Sequence, residues 1–258
     1  MNELVPPELA ARAPGALLAA LRLLPVAMAS PFLGGPLVPP VVRVALALGL
    51  GAAAAAAGGG TTPGDGLSLA VGCARELALG TVLAFLVTMP VEAARAAGRL
   101  ADTFRGATLS ELHVAPIRQR ESAAGDLLAN WVIVLAAWAG GDRLVVQGLL
   151  STFVAIPPGA PLLLGRALPA VLAAAAELVA AAVAIAAPAA AGVLAADLTI
   201  ALVARIAPQL GAVNAAQPAR AALGLLAFAA AASIAGGRLA AMVALSGRTI
   251  GSAAGMVP

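Results

Sequence analysis

"ARIAPQLGAVNAAQPAR" spans residues 204–220 between two strongly apolar segments, and it sets Arg205, Pro208, Gln209, Asn214, Gln217, Pro218 and Arg220 among them. Hydrocarbon cannot hydrogen-bond a free amide or solvate a guanidinium. The stretch is therefore either a loop in water or broken backbone buried in protein, and that choice decides the surrounding fold. Its flanks carry charge-free runs at Leu178–Ala196 and Ala221–Gly237. Working outward, five more such runs precede them: Leu23–Val42, Val44–Gly64, Leu77–Val91, Leu127–Gly141 and Leu144–Gly165. A lone membrane span needs about 20 apolar residues. Several runs are shorter, and Pro25, Pro31, Pro36, Pro39 and Pro40 break the first. Such helices suit hairpins packed against partners better than independent spans.

Composition points the same way. The chain has 258 residues, 62% hydrophobic and 10% charged, with mean hydropathy +1.00. Soluble domains carry about 25% charged residues, so this chain cannot clothe a soluble sphere, and an all-α integral membrane fold is expected. The length suits one bundle, a single domain over residues 1–258. Alanine dominates the apolar content, and alanine favours close helix approach over lipid contact, which predicts packing within an assembly. The net charge is +3. Every base is an arginine, scattered without a basic run or interleaved aromatics, which argues against a nucleic-acid partner. At the N-terminus, Glu3 and Glu8 precede any base and Arg22 interrupts the apolar part. These features argue against a cleaved signal peptide.

The usual catalytic constellations are missing. His113 and Cys73 are the only residues of their types, so no His/Cys metal cluster forms within one chain, and a chain without lysine has no P-loop. No enzyme, metal or cofactor is expected. Two carboxylates, Glu177 and Asp197, lie deep in apolar sequence, and buried carboxylates at membrane depth are functional candidates by default. Asp197 and Arg205 are eight residues apart and can share a helix face. A proton- or ion-coupled secondary transporter using Glu177, Asp197 and Arg205 is the alternative reading; the bland one pairs each carboxylate or leaves it at a wet helix end. Glu92, Arg95, Arg99 and Asp102 follow helical spacing, with Glu92–Arg95 and Arg99–Asp102 able to pair. They form either a solvated face or a docking face for a cytoplasmic partner. The arginines there make residues 92–126 a cytoplasmic segment, with the 58–66 turn on the opposite side.

Five motifs in order carry a resemblance. "PFLGGPLVPPVVRVALALGL" (31–50) contributes Pro31, Gly35, Val38, Pro39 and Arg43, and "RELALGTVLAFL" (75–86) contributes Glu76 and Gly80. "AAGRLADTFRGATLSE" (96–111) contributes Gly98, Asp102 and Gly106, and "GGDRLVVQGLLSTFVAIPPG" (140–159) contributes Gly141, Ser151 and Pro157. Last comes Arg205-x-x-Pro208-Gln209, with Pro218 and Arg220 after a gap. Together these resemble the FliR/SctT family of type III secretion export-gate proteins, over roughly residues 15–240.

The resemblance implies a non-enzymatic subunit of the export gate, a conduit for unfolded secreted proteins. It implies a multi-pass protein of the bacterial inner membrane, with several copies of two small hydrophobic membrane proteins as partners. The switch-type export-gate protein and the secretion base would be its neighbours. "RGATLSE" and "RQRESAAGDLL" lean toward the injectisome branch rather than the flagellar one. Residues 205–220 then read as a re-entrant hairpin tip near the channel constriction. Pro208 would end the incoming helix, Gln209, Asn214 and Gln217 would serve the freed backbone, and Arg205 would anchor the element. One departure stands out: where the family continues Pro-Gln toward an aromatic, this chain has "LGAVNAAQP".

Overall fold

The structure, a computed structural model, describes residues 7–33, 38–57, 65–105, 122–160, 164–207, 212–230 and 237. These form seven longer α-helices: α1 (Pro7–Ala29), α2 (Pro40–Ala57), α3 (Gly66–Phe104), α4 (Ala123–Trp138), α5 (Gly141–Ala155), α6 (Leu164–Ile206) and α7 (Ala212–Ala230). No strand occurs among the described residues, so the all-α expectation holds.

Local chemistry explains the ends. α1 continues through Pro14 and Pro25 and stops at Ser30, whose amide donates to Val26 O at 2.7 Å while its hydroxyl accepts the Phe32 amide at 3.2 Å. A single 3-10 turn, Pro31–Leu33, follows. The first apolar run is therefore not one span, and it breaks after Ser30 rather than at Pro25. α2 opens on Pro40, where a missing amide costs nothing. Asp65 and Ser68 close a reciprocal cap on α3: Ser68 Oγ donates to Asp65 O at 2.7 Å and accepts the Asp65 amide at 3.2 Å. Gly140, at φ 71°, supplies the left-handed residue between α4 and α5. The Leu144–Gly165 run is interrupted by the Pro157–Ala160 turn, closed by Ala160 N to Pro157 O at 3.1 Å with Gly159 at φ 84°.

Among the described residues, two helices are long and apolar enough to cross a membrane, α3 and the Val171–Ile206 part of α6, with a third if α4 and α5 count as one broken span. That is fewer than the seven apolar runs. The 39 residues of α3 extend about 58 Å at 1.5 Å per residue, nearly twice the ~30 Å hydrocarbon layer. A span needs only about 20 of these residues, so the charged last turns, from Glu92, are not required to cross that layer.

The described residues group into two compact units, drawn from Met1–Met89 with Ala136–Ala175 and from Pro90–Leu135 with Ala176–Met242. The first has a core of Leu23, Val26, Leu83, Val87, Leu149 and Phe153, from α1, α3 and α5. α2 comes so close to α1 that a Cβ on Gly51 would lie 2.5 Å from Ala20 N. The second is built largely from alanine, including Ala94, Ala97, Ala101, Ala129, Ala186 and Ala189, all buried. Lipid tails are as apolar as leucine, so packing rather than exclusion of water holds such helices together, and small side chains allow the closest packing.

Candidate functional site

In the first unit, one arginine organises three helices. Arg22 of α1 is fully buried. Its Nε and Nη2 grip both oxygens of Glu76 on α3, at 2.6 and 3.0 Å, in the bidentate geometry that suits a guanidinium. Its Nη1 donates to Thr152 O at 3.1 Å and Ile156 O at 2.8 Å, carbonyls at the end of α5. A cation is favoured at that negative helix end. The Phe153 ring lies 4.4 Å from the guanidinium carbon, close enough for a cation–π contact. Glu76 Oε1 also accepts the Gly159 amide at 2.9 Å, fixing the turn after α5. Gly80, one turn beyond Glu76, makes room: a Cβ there would sit 2.2 Å from Arg22 O. Of this cluster, sequence reasoning singled out Glu76 and Gly80 and treated Arg22 only as an interruption. The available signal was the arginine itself, since a charge inside an apolar helix needs a buried partner.

Arg43 stitches α1 to α2, with Nε on Val38 O at 2.9 Å and Nη1 on Met28 O at 3.0 Å. Pro39 O accepts the Val42 and Arg43 amides, starting α2. The motif's proline and arginine thus shape the entry to one helix.

In the second unit, Gly98 and Asp102 join α3 to α4. A Cβ on Gly98 would lie 2.3 Å from Gly125 N, so only glycine permits this crossing. Asp102 is buried, and its Oδ2 accepts the Ser122 hydroxyl and, at 3.1 Å, the Ala124 amide. It therefore caps the positive end of α4. Its ion-pair partner is Arg105, not the expected Arg99. Asp102 faces α4 instead of the solvated face, which keeps Glu92–Arg95 at 2.5 Å. Burial alone pushes the Asp102 carboxyl up. The hydrogen bonds from Ser122, Arg105 and the Ala124 amide, with the charge of Arg105, outweigh it and hold the group below the usual carboxylate range. Arg105 and Ser122 were missed from sequence. Gly106 lies outside the described residues.

The opening stretch lies on a helical hairpin. A Cβ on Gly192 of α6 would meet Ala227 Cβ of α7 at 2.6 Å, and one on Gly224 would meet Val193 Cγ2 at 2.9 Å. These pairings run antiparallel, so α6 and α7 lie side by side in opposite directions. Arg205 is exposed in the last turn of α6, and the Ala207 amide closes that turn on Val203 O at 2.8 Å. Pro208 and Gln209 lie outside the described residues. Asn214, Gln217, Pro218 and Arg220 are helical, inside α7. The backbone there is regular rather than broken, because α7 continues through Pro218; only the Asn214 carbonyl loses its helical donor.

Glu177 is exposed on α6 and Asp197 half-buried. Neither is buried within the chain, since depth in an apolar run is not depth in a folded core. Among the described residues, no group of three or more His, Cys, Asp or Glu could hold a metal ion.

Comparisons with known proteins agree with the motifs. The family described as "Bacterial export proteins, family 1" matches residues 13–245. "Secretion system apparatus protein SsaT" of Salmonella typhimurium is 31% identical over 88 residues, 34% of each chain. The match thus spans about a third of that relative's length.

Proposed function

The chain belongs to the bacterial export proteins of family 1, the FliR/SctT family, and is a membrane protein; from that premise we propose that it is a non-catalytic subunit of a type III secretion export gate. In this reading it works in the bacterial inner membrane as a multi-pass protein, in one domain, with residues 92–126 in the cytoplasm. It joins small hydrophobic membrane proteins in a conduit for unfolded substrates, beside the switch-type export protein and the secretion base. The injectisome is favoured over the flagellum, supported by the name of the secretion-apparatus relative. Family membership leaves the coupled-transporter alternative without support.

The observation that carries the reading is the antiparallel pairing of α6 with α7, whose facing ends at Ile206 and Ala212 flank Pro208 and Gln209 in the sequence. We assign the tip, with Asn214, Gln217, Pro218 and Arg220 on its second arm, to the constriction of the conduit. The test is to make Arg205→Ala, Pro208→Ala and Gln209→Ala separately and measure secretion and ion leak in the native host. Altered leak or secretion, with normal protein levels, is the expected result. Unchanged leak and secretion in all three variants would reject the gate assignment.

A further inference from the structure

One side chain ties the α6–α7 pair to the rest of its unit. Arg105 follows the last turn of α3, its amide donating to Ala101 O at 3.1 Å. Its guanidinium turns back to pair with Asp102 Oδ1. Asp102 Oδ2 in turn accepts the Ser122 hydroxyl and the Ala124 amide at the start of α4. Between those two fixed ends lies the aliphatic stem of Arg105, and it crosses α7 at Gly224. A Cβ added to Gly224 would fall 2.6 Å from Arg105 Cγ and 3.0 Å from Cδ. Gly224 is buried, and the same Cβ would meet Val193 Cγ2 of α6 at 2.9 Å.

The arrangement is a ridge seated in a notch. An arginine stem covers apolar surface while its charged head finds a partner. A free stem would swing away from a crowded neighbour. This one cannot do so without giving up the Asp102 pair, because its backbone is already held in the helix end. The notch suits glycine, since Val193 closes it from the α6 side with a β-branched side chain that is stiff in a helix. Gly192 does a different job: its added Cβ would meet Ala227 Cβ at 2.6 Å and Leu223 O at 3.2 Å, both on α7. Gly192 thus sets the spacing of the two arms, and Gly224 sets where both arms lie against the end of α3. Gly224 is 12 residues from Ala212, about 18 Å along α7 at 1.5 Å per residue. A tilt of about 10° at Gly224 therefore carries the Ala212 end through about 3 Å, roughly one water diameter.

We propose that Arg105 is a positioning residue of the conduit: its pinned stem, seated at Gly224, holds the α6–α7 hairpin in place against the end of α3 and the first turn of α4. Asp102 acts through it by fixing the guanidinium, so one carboxylate serves both the α4 cap and the hairpin. Loss of the stem frees the hairpin at this point and leaves the α4 cap intact, because Ser122 and Ala124 reach Asp102 without Arg105. The consequence for export rests on the proposed gate reading, and the geometry does not.

The test uses the full chain in its native host, with secretion and ion leak measured at matched protein levels and protease resistance measured in membranes. Arg105→Ala is expected to change leak or secretion, and Arg105→Lys, which keeps a stem and a charge, to restore most of the normal behaviour. Gly224→Ala is expected to do roughly three-fold or more less damage when Arg105 is already alanine, because the stem it would displace is gone. Gly192→Ala, whose nearest contacts include no atom of Arg105, is expected to combine additively with Arg105→Ala. With Cys73→Ser in place, Arg105→Cys and Gly224→Cys are expected to join on oxidation and to yield a linked peptide by mass spectrometry. Additive effects of Gly224→Ala and Arg105→Ala, an Arg105→Lys variant no better than Arg105→Ala, or absence of the linked peptide would each overturn the assignment. If the Arg105–Gly224 cycle is non-additive in protease resistance while hairpin-tip variants leave leak and secretion normal, the hairpin is held as proposed and the gate reading fails. If tip variants alter leak or secretion while the cycle is additive, the gate reading stands and the positioning role fails.

Discussion

Arg22 illustrates how a costly residue becomes a structural one. Four of its five N–H groups are directed at acceptors, two at Glu76 and two at the α5 end, so the desolvated charge is both paired and hydrogen-bonded. Removing one partner of such a pair strands the other, at about 3–5 kcal/mol, whereas replacing both by apolar residues of similar volume is often neutral. Arg22→Met and Glu76→Met are each expected to reduce the amount of folded protein in the membrane sharply, and the double variant to recover much of it. Membrane immunoblots beside a proteolysis assay measure this, and a double variant no better than either single one would refute the pairing argument. Asp102 gives a pH prediction with a definite sign. A carboxyl held below its unfolded value, about 3.9, adds stability that is complete above that value and lost as pH falls through the folded one. The protection of amides in the first turn of α4, taken relative to their intrinsic exchange rate at each pH, is expected to be flat from pH 7 to about 5 and to fall below about 4, with Asp102→Asn removing that acid limb. Glu76, Gly80, Gly98 and Asp102 were legible as a pattern, but their partners were not. Arg22 and Glu76 are 54 positions apart, and no periodicity reports a contact at that range.

Glycine decides how near the helices come. Gly98 faces the backbone of Ala124 and Gly125, whose three nearest atoms lie within 2.4 Å of an added Cβ, and backbone cannot rotate aside as a side chain can. Gly98→Ala is expected to part α3 from α4 and to destabilise by roughly 1–3 kcal/mol. Gly49, in α2, has nothing within 4 Å, so Gly49→Ala is expected to be neutral or stabilising by up to about 1 kcal/mol. Thermal aggregation of the detergent-solubilised protein compares the pair; equal shifts would show that close approach at Gly98 does not matter. At this scale the sequence was legible in helix type and misleading in helix ends. Pro14, Pro25, Pro90 and Pro218 all sit inside helices, because neighbouring helices and local adjustment can serve the backbone groups that proline frees. The breaks fall instead where proline coincides with a cap or a left-handed glycine, at Ser30–Pro31 and at Pro157–Gly159. Of the prolines in the first run, Pro31 therefore marks a break and Pro25 does not.

Among the described residues, exposed apolar surface extends beyond the helices that qualify as spans. α3 and α6 qualify as spans, with α4 and α5 as one broken candidate, while α1 and α2 hold only shorter apolar stretches. Even so, Val41, Val42, Leu46 and Leu48 of α2 are exposed, as are Leu172, Leu194, Leu198 and Leu202 of α6. A short helix with an exposed apolar face and broken neighbours anchors weakly in lipid by itself, because mismatch and freed carbonyls both cost free energy there. Against another protein the same face packs well, the more so for the alanines and glycines beside it. Instability of the isolated chain is the expected consequence. Expressed alone, it is expected to be degraded or to aggregate on extraction. Taken from its native host in a gentle detergent, it is expected to run as one species with small hydrophobic membrane proteins, identified by mass spectrometry. Expression together with those proteins is then expected to raise its level several-fold. A stable, monodisperse lone species would mean that the exposed faces are content in lipid, and the assembly argument would fall with the export-gate reading built on it.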